Sequence, residues 1–515
     1  MIESDVFDRW QRDRLDWPSR QRSSKSTFAR RASPTRSRSE EMARGRLAFL
    51  TNEEIRRVHE TSLRVLEEVG VVVHSESVTN MLTTAGAEIS KTGKRVLIPE
   101  SLVRTSLASA PKSILLAARD KSRDIRIPVS DRIRVANGGE GVYVKDLLTG
   151  ESRPSTLEDY RDFVVLSEEL PQVDFCWGMV GALDQPPNLK NIVEFKTSLE
   201  HSTKHFQGGV SSVQEARDMV ELASIITGGY EELRKRPIFS SVQCPISPLA
   251  FESGVSEAQV EFARAGIPVV AMVASVAGLT SPVTLAGSLA QVNAENLASL
   301  VISQVAGKSA PWIYSSDSVP GDLVTGSIDY GALEGELMRT GAGQMGRFYG
   351  LPTMVAGISL ENSSLLIGRV RDGVPYMAMQ ALVPSDLGSG LGGIDQAAGA
   401  SFEQLLVDAW VWEVARGFAR EFAADDVAIS FETIREAGLD GNFLGKRHTL
   451  TRFKKELSGT VNPESSLSGK GDSGARGDLL RRAKVEVKAM LSRPKALMVS
   501  KDESAKMAEF IKRFS

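Results

Sequence analysis

The chain is poor in the residues on which several classes of protein depend. Two cysteines in 515 residues, Cys176 and Cys244, cannot build a disulfide framework, and they fit a reduced, cytoplasmic compartment. Of the five histidines, His201 and His205 have zinc-like spacing but lie on either side of a predicted helix end. No apolar run approaches the roughly 18 residues of a membrane span. The net charge of -3 does not favour nucleic acid or membrane surfaces. We therefore expect a cytoplasmic protein without a bound metal, nucleic acid or membrane partner.

The sequence divides into four regions by composition and periodicity. The stretch from Trp17 to Ser39 holds six Arg and one Lys with no acid, which predicts a disordered tail; binding of an acidic partner is the alternative. The motif Thr51-Asn52-Glu53-Glu54 predicts a capped helix start soon afterwards. The expected regions are a basic tail (1–45), a mixed α/β cap (46–165), a (β/α)8 barrel (166–456), and a linker with a helical tail (457–515).

From Val173 onward, predicted strands and helices alternate about every 30 residues. The unit with the strongest pattern has a buried strand at Pro268–Val276, a helix at Val283–Val305 that Gly307 ends, and a strand from Pro311 that ends in Ser315, Ser316 and Asp317. Seven or eight such units favour a closed barrel over an open sheet. The strand candidates are Val173–Val180, His205–Val210, Ile238–Cys244, Pro268–Val276, Trp312–Ser316, Pro352–Ser359 and Leu382–Leu391, and a hairpin is expected at Val135–Asp146.

Three familiar kinds of functional site receive little support. No G-x-S-x-G segment is present, so a nucleophilic serine at a strand–helix turn is not indicated. Lys204, at a strand start, could form a Schiff base in a barrel lyase, but an ion-paired or surface lysine explains it better. Gly388–Gly393 matches G-x-G-x-x-G, but Ile394 to Gly399 stands where the dinucleotide-binding helix should open.

Several ordered segments carry a resemblance to a known family. They are NGGEGVYVKDLLTGESRPSTLEDY (from Asn137), STKHF (from Ser202), ITGGYEELRKRP (from Ile226), PISPL (from Pro245), TSPVTLAGSLAQVNAENLASLVISQ (from Thr280), RFYGLP (from Arg347) and FLGKRHTLTRF (from Phe443). In this order and spacing, from about Leu50 to about Glu456, the chain resembles the trimethylamine methyltransferase family. The resemblance implies a (β/α)8 barrel.

The resemblance also implies a reaction and a partner. Members of the family pass a methyl group from an amine to the cobalt of a separate corrinoid protein. The sequence has no pyrrolysine and resembles the branch that uses betaines and similar quaternary amines. It has no Asp-x-His corrinoid-binding motif, so cobalamin is expected on a partner protein rather than tightly bound by this chain, and a homo-oligomer is expected. Glu361 to Gln380 departs from the family pattern, so a silent member that binds an amine as a scaffold or sensor is the alternative.

A quaternary ammonium is held by aromatic faces and a carboxylate, because its nitrogen cannot form hydrogen bonds. Tyr314 and Asp317, close together at one strand end, are the best such pair. The other aromatic candidates are Trp177, Phe206, Trp312, Tyr143 and Phe348. The remaining substrate-binding candidates are Glu140, Gln243 and Glu361. Gly388, Gly390 and Gly393 are expected to face the corrinoid, because glycines leave room for a flat group.

Overall fold

Eight parallel strands form the central sheet of the computed structural model, and its two edge strands meet. In spatial order they are Arg134–Asn137, Leu387–Leu391, Thr353–Val355, Trp312–Ser316, Val269–Val273, Phe239–Gln243, Phe206–Gly209 and Cys176–Trp177. Ala136 pairs with Phe175 across the seam, and the Asn137 amide donates to the Trp177 carbonyl (2.6 Å) and accepts from the Trp177 N–H (2.9 Å). These contacts close the sheet and confirm the predicted (β/α)8 barrel. The structure describes residues 46–360, 370–419, 424–439, 441–456, 476–494 and 497–514.

The barrel includes one strand that the sequence places in the cap. Arg134–Asn137 pairs in parallel with Leu387–Leu391, so the first barrel strand lies before residue 166. The expected hairpin instead joins Tyr143–Lys145 to Ser152–Pro154. The sequence Asn-Gly-Gly after residue 136 suggests a hairpin turn. In the structure, the absence of a side chain at Gly138 instead lets the backbone pass close to Gly390, because a Cβ on Gly138 would lie 3.1 Å from the Gly390 carbonyl oxygen.

Helices follow the strands and form the outer layer. Their bounds are Asn52–Arg64, Glu76–Thr84, Glu100–Ser109, Leu157–Glu169, Pro187–His201, Val213–Thr227, Tyr230–Lys235, Ser253–Ala265, Leu285–Ala306, Leu333–Phe348, Val370–Ala381, Phe402–Ala415, Asp426–Ile429, Phe431–Ala437, Arg447–Glu456, Arg476–Leu491 and Lys501–Ile511. Short 3-10 or π turns lie at Val65–Val69, Lys121–Arg123, Arg416–Ala419 and Lys512–Phe514. Thr51 and Glu54 form the predicted capping box. None of the helices within the described residues is long and apolar enough to cross a membrane.

The helix Leu285–Ala306 connects the layers. Its inner side packs on Val269–Val273 and Trp312–Ser316, as predicted for the central unit, and its outer side is covered by Asn52–Arg64 and Glu100–Ser109. The helix is therefore buried on nearly all sides, although its pattern alone suggests a single apolar stripe. The N-terminal region thus packs over the barrel helices.

A short hairpin closes the N-terminal end of the barrel. Ile114–Leu116 pairs with Ile125–Ile127, and their apolar side chains share one cluster with the barrel interior. The interior members of that cluster are Ala136, Phe175, Trp177, Val242, Val270, Met272, Ile313, Met354, Ala356 and Leu387. Because this end is packed, access to the interior is from the C-terminal strand ends, where ligands gather in barrels of this kind.

Small sheets surround the barrel. In two of them, Val72–Val73 pairs with Ala250–Phe251 and Glu88–Ile89 pairs with Val96–Leu97. In two others, Val319–Asp322 lies between Val276–Ala277 and Ser327–Ile328, and Gly399–Ala400 lies between Gly393–Ile394 and Tyr143–Lys145. The two C-terminal helices pack on the helical layer: Arg476–Leu491 lies against Phe402–Ala415, and Lys501–Ile511 lies against Val213–Thr227. The basic tail (1–45) and the Ser/Gly linker (457–475) lie outside the described residues.

Polar side chains on Leu285–Ala306 fix the loops at the barrel mouth. The Asn296 side chain donates to the Ser315 carbonyl (2.9 Å) and accepts from its N–H (3.2 Å). The buried Glu295 carboxylate accepts from the Ser247 hydroxyl (2.7 Å) and the Leu249 N–H (2.9 Å). The Asn-Ala-Glu-Asn segment thereby holds two strand ends in place, since buried polar groups keep their partners.

Candidate functional site

A small cavity of about 80 Å³ lies at the C-terminal strand ends. Trp177, Met272, Ala356 and Ser389 reach it from four different strands or from the residues that follow them. The other lining residues are Gly138, Gly139, Met179, Asp317, Tyr330, Gly357, Ser359, Gly390, Gly393, Ala397 and Gly399. The walls therefore combine glycines, two thioethers, two aromatic rings and one carboxylate.

Strand alternation decides which side chains of Trp312–Ser316 face this cavity. Side chains of a strand alternate between its two faces. Ile313 belongs to the cluster inside the barrel, so Asp317, four residues on, points the same way. Tyr314 points to the helical layer, where its hydroxyl donates to Asn293 (3.2 Å) and its ring contacts Tyr349. The expected pair of Tyr314 and Asp317 therefore does not form: Asp317 lines the cavity and Tyr314 does not.

Tyr330 takes the place expected for Tyr314. Its hydroxyl donates to Asp317 Oδ2 (2.8 Å), and its side chain lines the cavity. It follows the hairpin of Val319–Asp322 and Ser327–Ile328, which extends the loop after the barrel strand. A loop insertion has no periodic pattern that would reveal its position, so the sequence gives no signal for Tyr330 beyond its place downstream of a strand end.

Asp317 is the carboxylate of the cavity. The residue is partly exposed to the cavity, but its Oδ1 atom is buried, and the described residues offer Oδ1 no hydrogen-bond partner. Burial raises the pKa of Asp317 to about 6, although Arg339 and the Tyr330 hydroxyl oppose that rise. A carboxylate with one free oxygen in a low-dielectric cavity is suited to a cation.

The other predicted residues divide between the two faces of the barrel. Gly390 and Gly393 line the cavity. Phe206 faces the helical layer, where its ring lies 5.3 Å from that of Phe195. Gly388 also faces outward, since a Cβ there would lie 2.3 Å from Ile358 Cδ1.

The outward positions of Phe206 and Gly388 correct the expectation that they face the site. Gln243 shares a face with Ser241, to which it donates (2.7 Å), and with the outward-facing Phe239, so it does not reach the cavity either. Glu361 lies outside the described residues.

Glu140 lies at the mouth rather than in the cavity. It is exposed, and its N–H donates to the Gly178 carbonyl (2.8 Å). The nearby Cys244 is reachable by solvent, but the walls desolvate its thiol. This desolvation, with the carboxylates of Glu140 and Asp317, raises the pKa of Cys244 to about 12. Glu140 and Asp317 therefore both lie within electrostatic range of Cys244.

A second buried carboxylate positions the walls. Asp408 accepts from the Gly392 N–H (2.8 Å), the Leu360 N–H (3.2 Å), the Ser359 hydroxyl (3.1 Å) and the Gln404 amide (2.7 Å). Burial raises the pKa of Asp408 to about 7, and these hydrogen bonds oppose the rise. Asp408 thereby ties together two loops that line the cavity.

Lys204 lies at the other end of the barrel wall. Its ammonium donates to the backbone carbonyls of Ser167 and Leu170 (2.9 Å to the latter) and is buried against the helix Leu157–Glu169. Burial lowers the pKa of Lys204. The residue precedes its strand, whereas the cavity lies at the strand ends, so a Schiff base at Lys204 would form away from the cavity. Within the described residues, no group of three His, Cys, Asp or Glu side chains could hold a metal ion.

The cavity wall at Gly357 should tolerate no side chain. Gly357 has a φ of +90°, and a Cβ there would lie 2.3 Å from Arg339 Nη2. We expect Gly357→Ala to lower the free energy of unfolding by about 2–4 kcal/mol, because backbone strain adds to displacement of a buried guanidinium. The matched control is Gly350→Ala, which has a φ of +62° and no neighbour within 4 Å. It should cost only about 1 kcal/mol. Equal losses in denaturant titrations would contradict the packing described.

Comparison with known proteins adds the family. The family model for trimethylamine methyltransferase (MTTB) matches residues 19–514. Trimethylamine methyltransferase MttB of Desulfitobacterium hafniense is 28% identical over 445 residues, which cover 86% of this chain and 89% of the relative. Glycine betaine methyltransferase of the same species is 28% identical over 417 residues, which cover 79% and 85% of the two chains. Among solved structures, the hydroxylamine MtmB complex covers 85% of this chain and 92% of its own, with 12% identity and a TM-score of 0.46. The chain belongs to the trimethylamine methyltransferase family of enzymes.

Proposed function

We propose that this enzyme transfers a methyl group from a quaternary methylamine, such as a betaine, to the Co(I) centre of a cognate corrinoid protein. The observation that supports this most is the Asp317 carboxylate, with one oxygen unpartnered among the described residues and its cavity walled by Trp177 and Tyr330. Aromatic rings attract cations through their faces, and a carboxylate adds charge complementarity.

The charges around the cavity favour a cation. Arg339 and Glu336 are both buried and form an ion pair, so their charges offset each other. Asp317 then adds a negative charge without a paired cation of its own, although Arg339 interacts with it electrostatically. A quaternary ammonium in the cavity would balance that charge, whereas a neutral ligand would leave it buried at a cost in free energy.

The glycine-rich wall suits the approach of a flat group. Gly138, Gly139, Gly390 and Gly393 lie together on one side of the cavity, and none of them places a side chain in its opening. The corrinoid supplies Co(I), a strong nucleophile that accepts the methyl group. The residues of this chain hold the ammonium beside Asp317, direct one methyl group toward the glycine wall and exclude water. The leaving group is a neutral tertiary amine, so no residue has to donate a proton.

Two other functions are less well supported. A silent family member would bind a quaternary amine without transferring a methyl group, and it would need the same cation site but no open glycine wall. A Schiff-base lyase would need Lys204 in the cavity, but its ammonium is held by the carbonyls of Ser167 and Leu170. A methyl-transfer assay with reduced cobalamin against betaines, carnitine, choline and trimethylamine separates these functions.

Binding of a simple quaternary ammonium should depend on the protonation of Asp317. Its pKa is raised to about 6, so below that pH the free carboxyl is increasingly neutral and the cation must displace a proton. We expect the association constant for tetramethylammonium to be constant at higher pH and to fall toward a tenfold loss per pH unit below about 6. Calorimetric titrations at several pH values measure this.

The control variants assign the effect to one carboxylate. Asp317→Asn should bind tetramethylammonium at least about tenfold more weakly at neutral pH and without this pH dependence. Glu194→Gln should keep the dependence, although burial raises the pKa of Glu194 to about 7. A pH dependence that persists in Asp317→Asn would show that another group titrates.

Blocking the glycine wall should stop methyl transfer and leave amine binding. Gly393 is suited to this test, since a Cβ there would meet only the Gly390 carbonyl oxygen, at 3.3 Å. Gly390→Leu is less suitable, because Gly390 has a φ of +135° and a Cβ would lie 2.7 Å from the Ile358 nitrogen. We expect Gly393→Leu to reduce methyl transfer to the corrinoid protein by about 100-fold or more, with tetramethylammonium affinity within about threefold. The methyl-transfer rate of Gly393→Ala should lie between those of the wild-type enzyme and Gly393→Leu. A Gly393→Leu variant that transfers methyl groups normally would refute the assignment of the glycine wall to the corrinoid.

A homo-oligomer is also proposed, and the segment after the barrel supports it. The described residues between 418 and 450 expose an unusual number of large apolar side chains, which mark interaction surfaces when they occur together. They are Phe418, Val427, Ile429, Phe431, Ile434, Leu439, Phe443, Leu444 and Leu450. We expect light scattering of the wild-type protein to give the mass of two or more chains. The double variant Phe431→Ser, Leu444→Ser should have a lower mass by the same measurement. A monomeric wild-type protein would contradict the proposal.

A further inference from the structure

The rim of the cavity contains a strained turn. Asp395, Gln396 and Ala397 have φ values of +48°, +59° and +66°, although none of them is a glycine. L residues rarely adopt this left-handed region, because the Cβ atom then lies too close to a carbonyl oxygen, and they usually do so singly. Strained backbone of this kind persists only where neighbouring groups hold it, and it is concentrated at functional sites.

The turn lies between the cavity and solvent. Ala397 lines the cavity and is also exposed. The turn joins Gly393–Ile394 to Gly399–Ala400, two short antiparallel strands of a sheet beside the barrel, and Gly393 and Gly399 line the cavity as well. The lining residues on barrel strands are fixed by the hydrogen bonds of the central sheet, whereas this turn can move without disturbing the barrel.

Two side chains of a neighbouring strand hold the turn through Asp395. The Tyr143 hydroxyl donates to Asp395 Oδ2 (2.6 Å), and the Lys145 ammonium donates to the same oxygen (2.9 Å). The Tyr143 ring also packs on the backbone at Gly399, where a Cβ would lie 2.3 Å from its Cε2 atom. Burial acts to raise the pKa of Asp395, but the two hydrogen bonds outweigh it and lower the pKa, so the carboxylate stays charged and keeps both partners.

The strain and these hydrogen bonds oppose each other. Backbone strain favours release of the turn, whereas the hydrogen bonds from Tyr143 and Lys145 favour the observed position. The side chains of Lys145 and Asp395 are 30% and 36% exposed, so water can replace the ammonium, and the contact is weaker than a buried ion pair. A segment under two opposing influences of this kind can exchange between two positions.

We propose that Asp395–Ala397 is a gate of the cavity, held closed by Tyr143 and Lys145 as positioning residues. Release of Asp395 widens the entrance beside Gly393 and admits the ammonium. The hydrogen bonds to Asp395 then form again, retain the ligand and exclude water. The identity of the ligand rests on the proposed function, whereas the gate itself can be measured without a ligand.

Hydrogen exchange followed by mass spectrometry tests the gate in the free enzyme. The Ala398 N–H donates to the Asp395 carbonyl (3.2 Å) and the Val142 N–H to the Ala398 carbonyl (2.9 Å), so both amides exchange when the turn opens. In the double variant Tyr143→Phe, Lys145→Met, these amides should exchange at least about tenfold faster, because two hydrogen bonds to a charged group are lost.

The matched control removes a different lysine from the same outer hairpin. Lys484 forms an ion pair with Asp146, next to Lys145 in the chain, and does not contact Asp395. Lys484→Met should therefore leave exchange of the turn amides within about twofold of the wild-type rate. The amides of the barrel strand Val269–Val273 should exchange at the wild-type rate in every variant.

Gln396→Gly should have the opposite effect. Glycine adopts a positive φ without the Cβ penalty, so this change removes strain from the observed turn and should slow exchange of the same amides by about threefold or more. In a loop without this strain, the added freedom of glycine would instead speed exchange.

Binding rates show whether the gate controls entry. Stopped-flow measurements with tetramethylammonium can follow tryptophan fluorescence, because Trp177 lines the cavity. The Tyr143→Phe, Lys145→Met variant should raise the association and dissociation rate constants by about fivefold or more each, with affinity within about threefold, because a gate controls passage in both directions. Gln396→Gly should lower both rate constants. A variant that merely distorts the cavity would instead lose affinity.

Two results would overturn the gate: unchanged exchange of the turn amides in the double variant, or faster exchange with unchanged binding rates. If the double variant does not fold, Asp395→Asn replaces it; this variant keeps the shape but loses the charge that attracts Lys145, and it should produce the same changes to a smaller extent. If tetramethylammonium does not bind to the wild-type enzyme, the proposed function fails, while the exchange measurements still decide whether Tyr143 and Lys145 hold the turn.

Discussion

The architecture of the site depends on one constraint, the alternation of side chains along parallel strands that are buried on both faces. In Trp312–Ser316, Ile313 faces the barrel interior while Trp312 and Tyr314 face the helices. Continuing the same alternation past the strand end brings Asp317 into the cavity. A shift of one residue would exchange the two sets and place a tyrosine in the barrel and the carboxylate among apolar helices. The Asn296 side chain, which bonds both the N–H and the carbonyl of Ser315, helps to fix this register.

Buried carboxylates show how a structural role differs from a ligand-binding one. Glu295 accepts three hydrogen bonds and Asp408 accepts four, from neighbouring loops and from one glutamine on each carboxylate's own helix. Asp386 likewise accepts from the Val129 and Thr353 N–H groups and from Arg347. From the described residues, Asp317 accepts one hydrogen bond, which the Tyr330 hydroxyl donates to Oδ2. A buried charge with so few partners is costly unless something else binds to it. This distinction between structural and ligand-binding carboxylates follows from their hydrogen bonds and requires no comparison with related proteins.

The sequence predicts the barrel and the edge of it that carries the site, because strand–helix alternation and residues at strand ends are local patterns. It does not predict which face Phe206, Gly388 and Tyr314 occupy, since strands buried on both faces read as continuous apolar runs without a period of two. The turn signal Asn-Gly-Gly predicts a hairpin at Val135–Asp146, whereas Arg134–Asn137 is a barrel strand. Tyr330 comes from an inserted hairpin. Glu336 and Arg339 lie one turn apart on a helix, and this spacing in a sequence usually indicates an exposed ion pair. Their burial depends on tertiary packing.

The chemistry of the proposed transfer limits what Asp317 can contribute. The substrate nitrogen is cationic, and the amine that leaves is neutral, so attraction to Asp317 declines as the carbon–nitrogen bond breaks. A group that stabilises the ground state more than the transition state selects the ligand but does not accelerate the step. Acceleration must then come from holding a methyl group toward the open glycine wall and from excluding water. The weakened hold of Asp317 on the neutral nitrogen would favour product release.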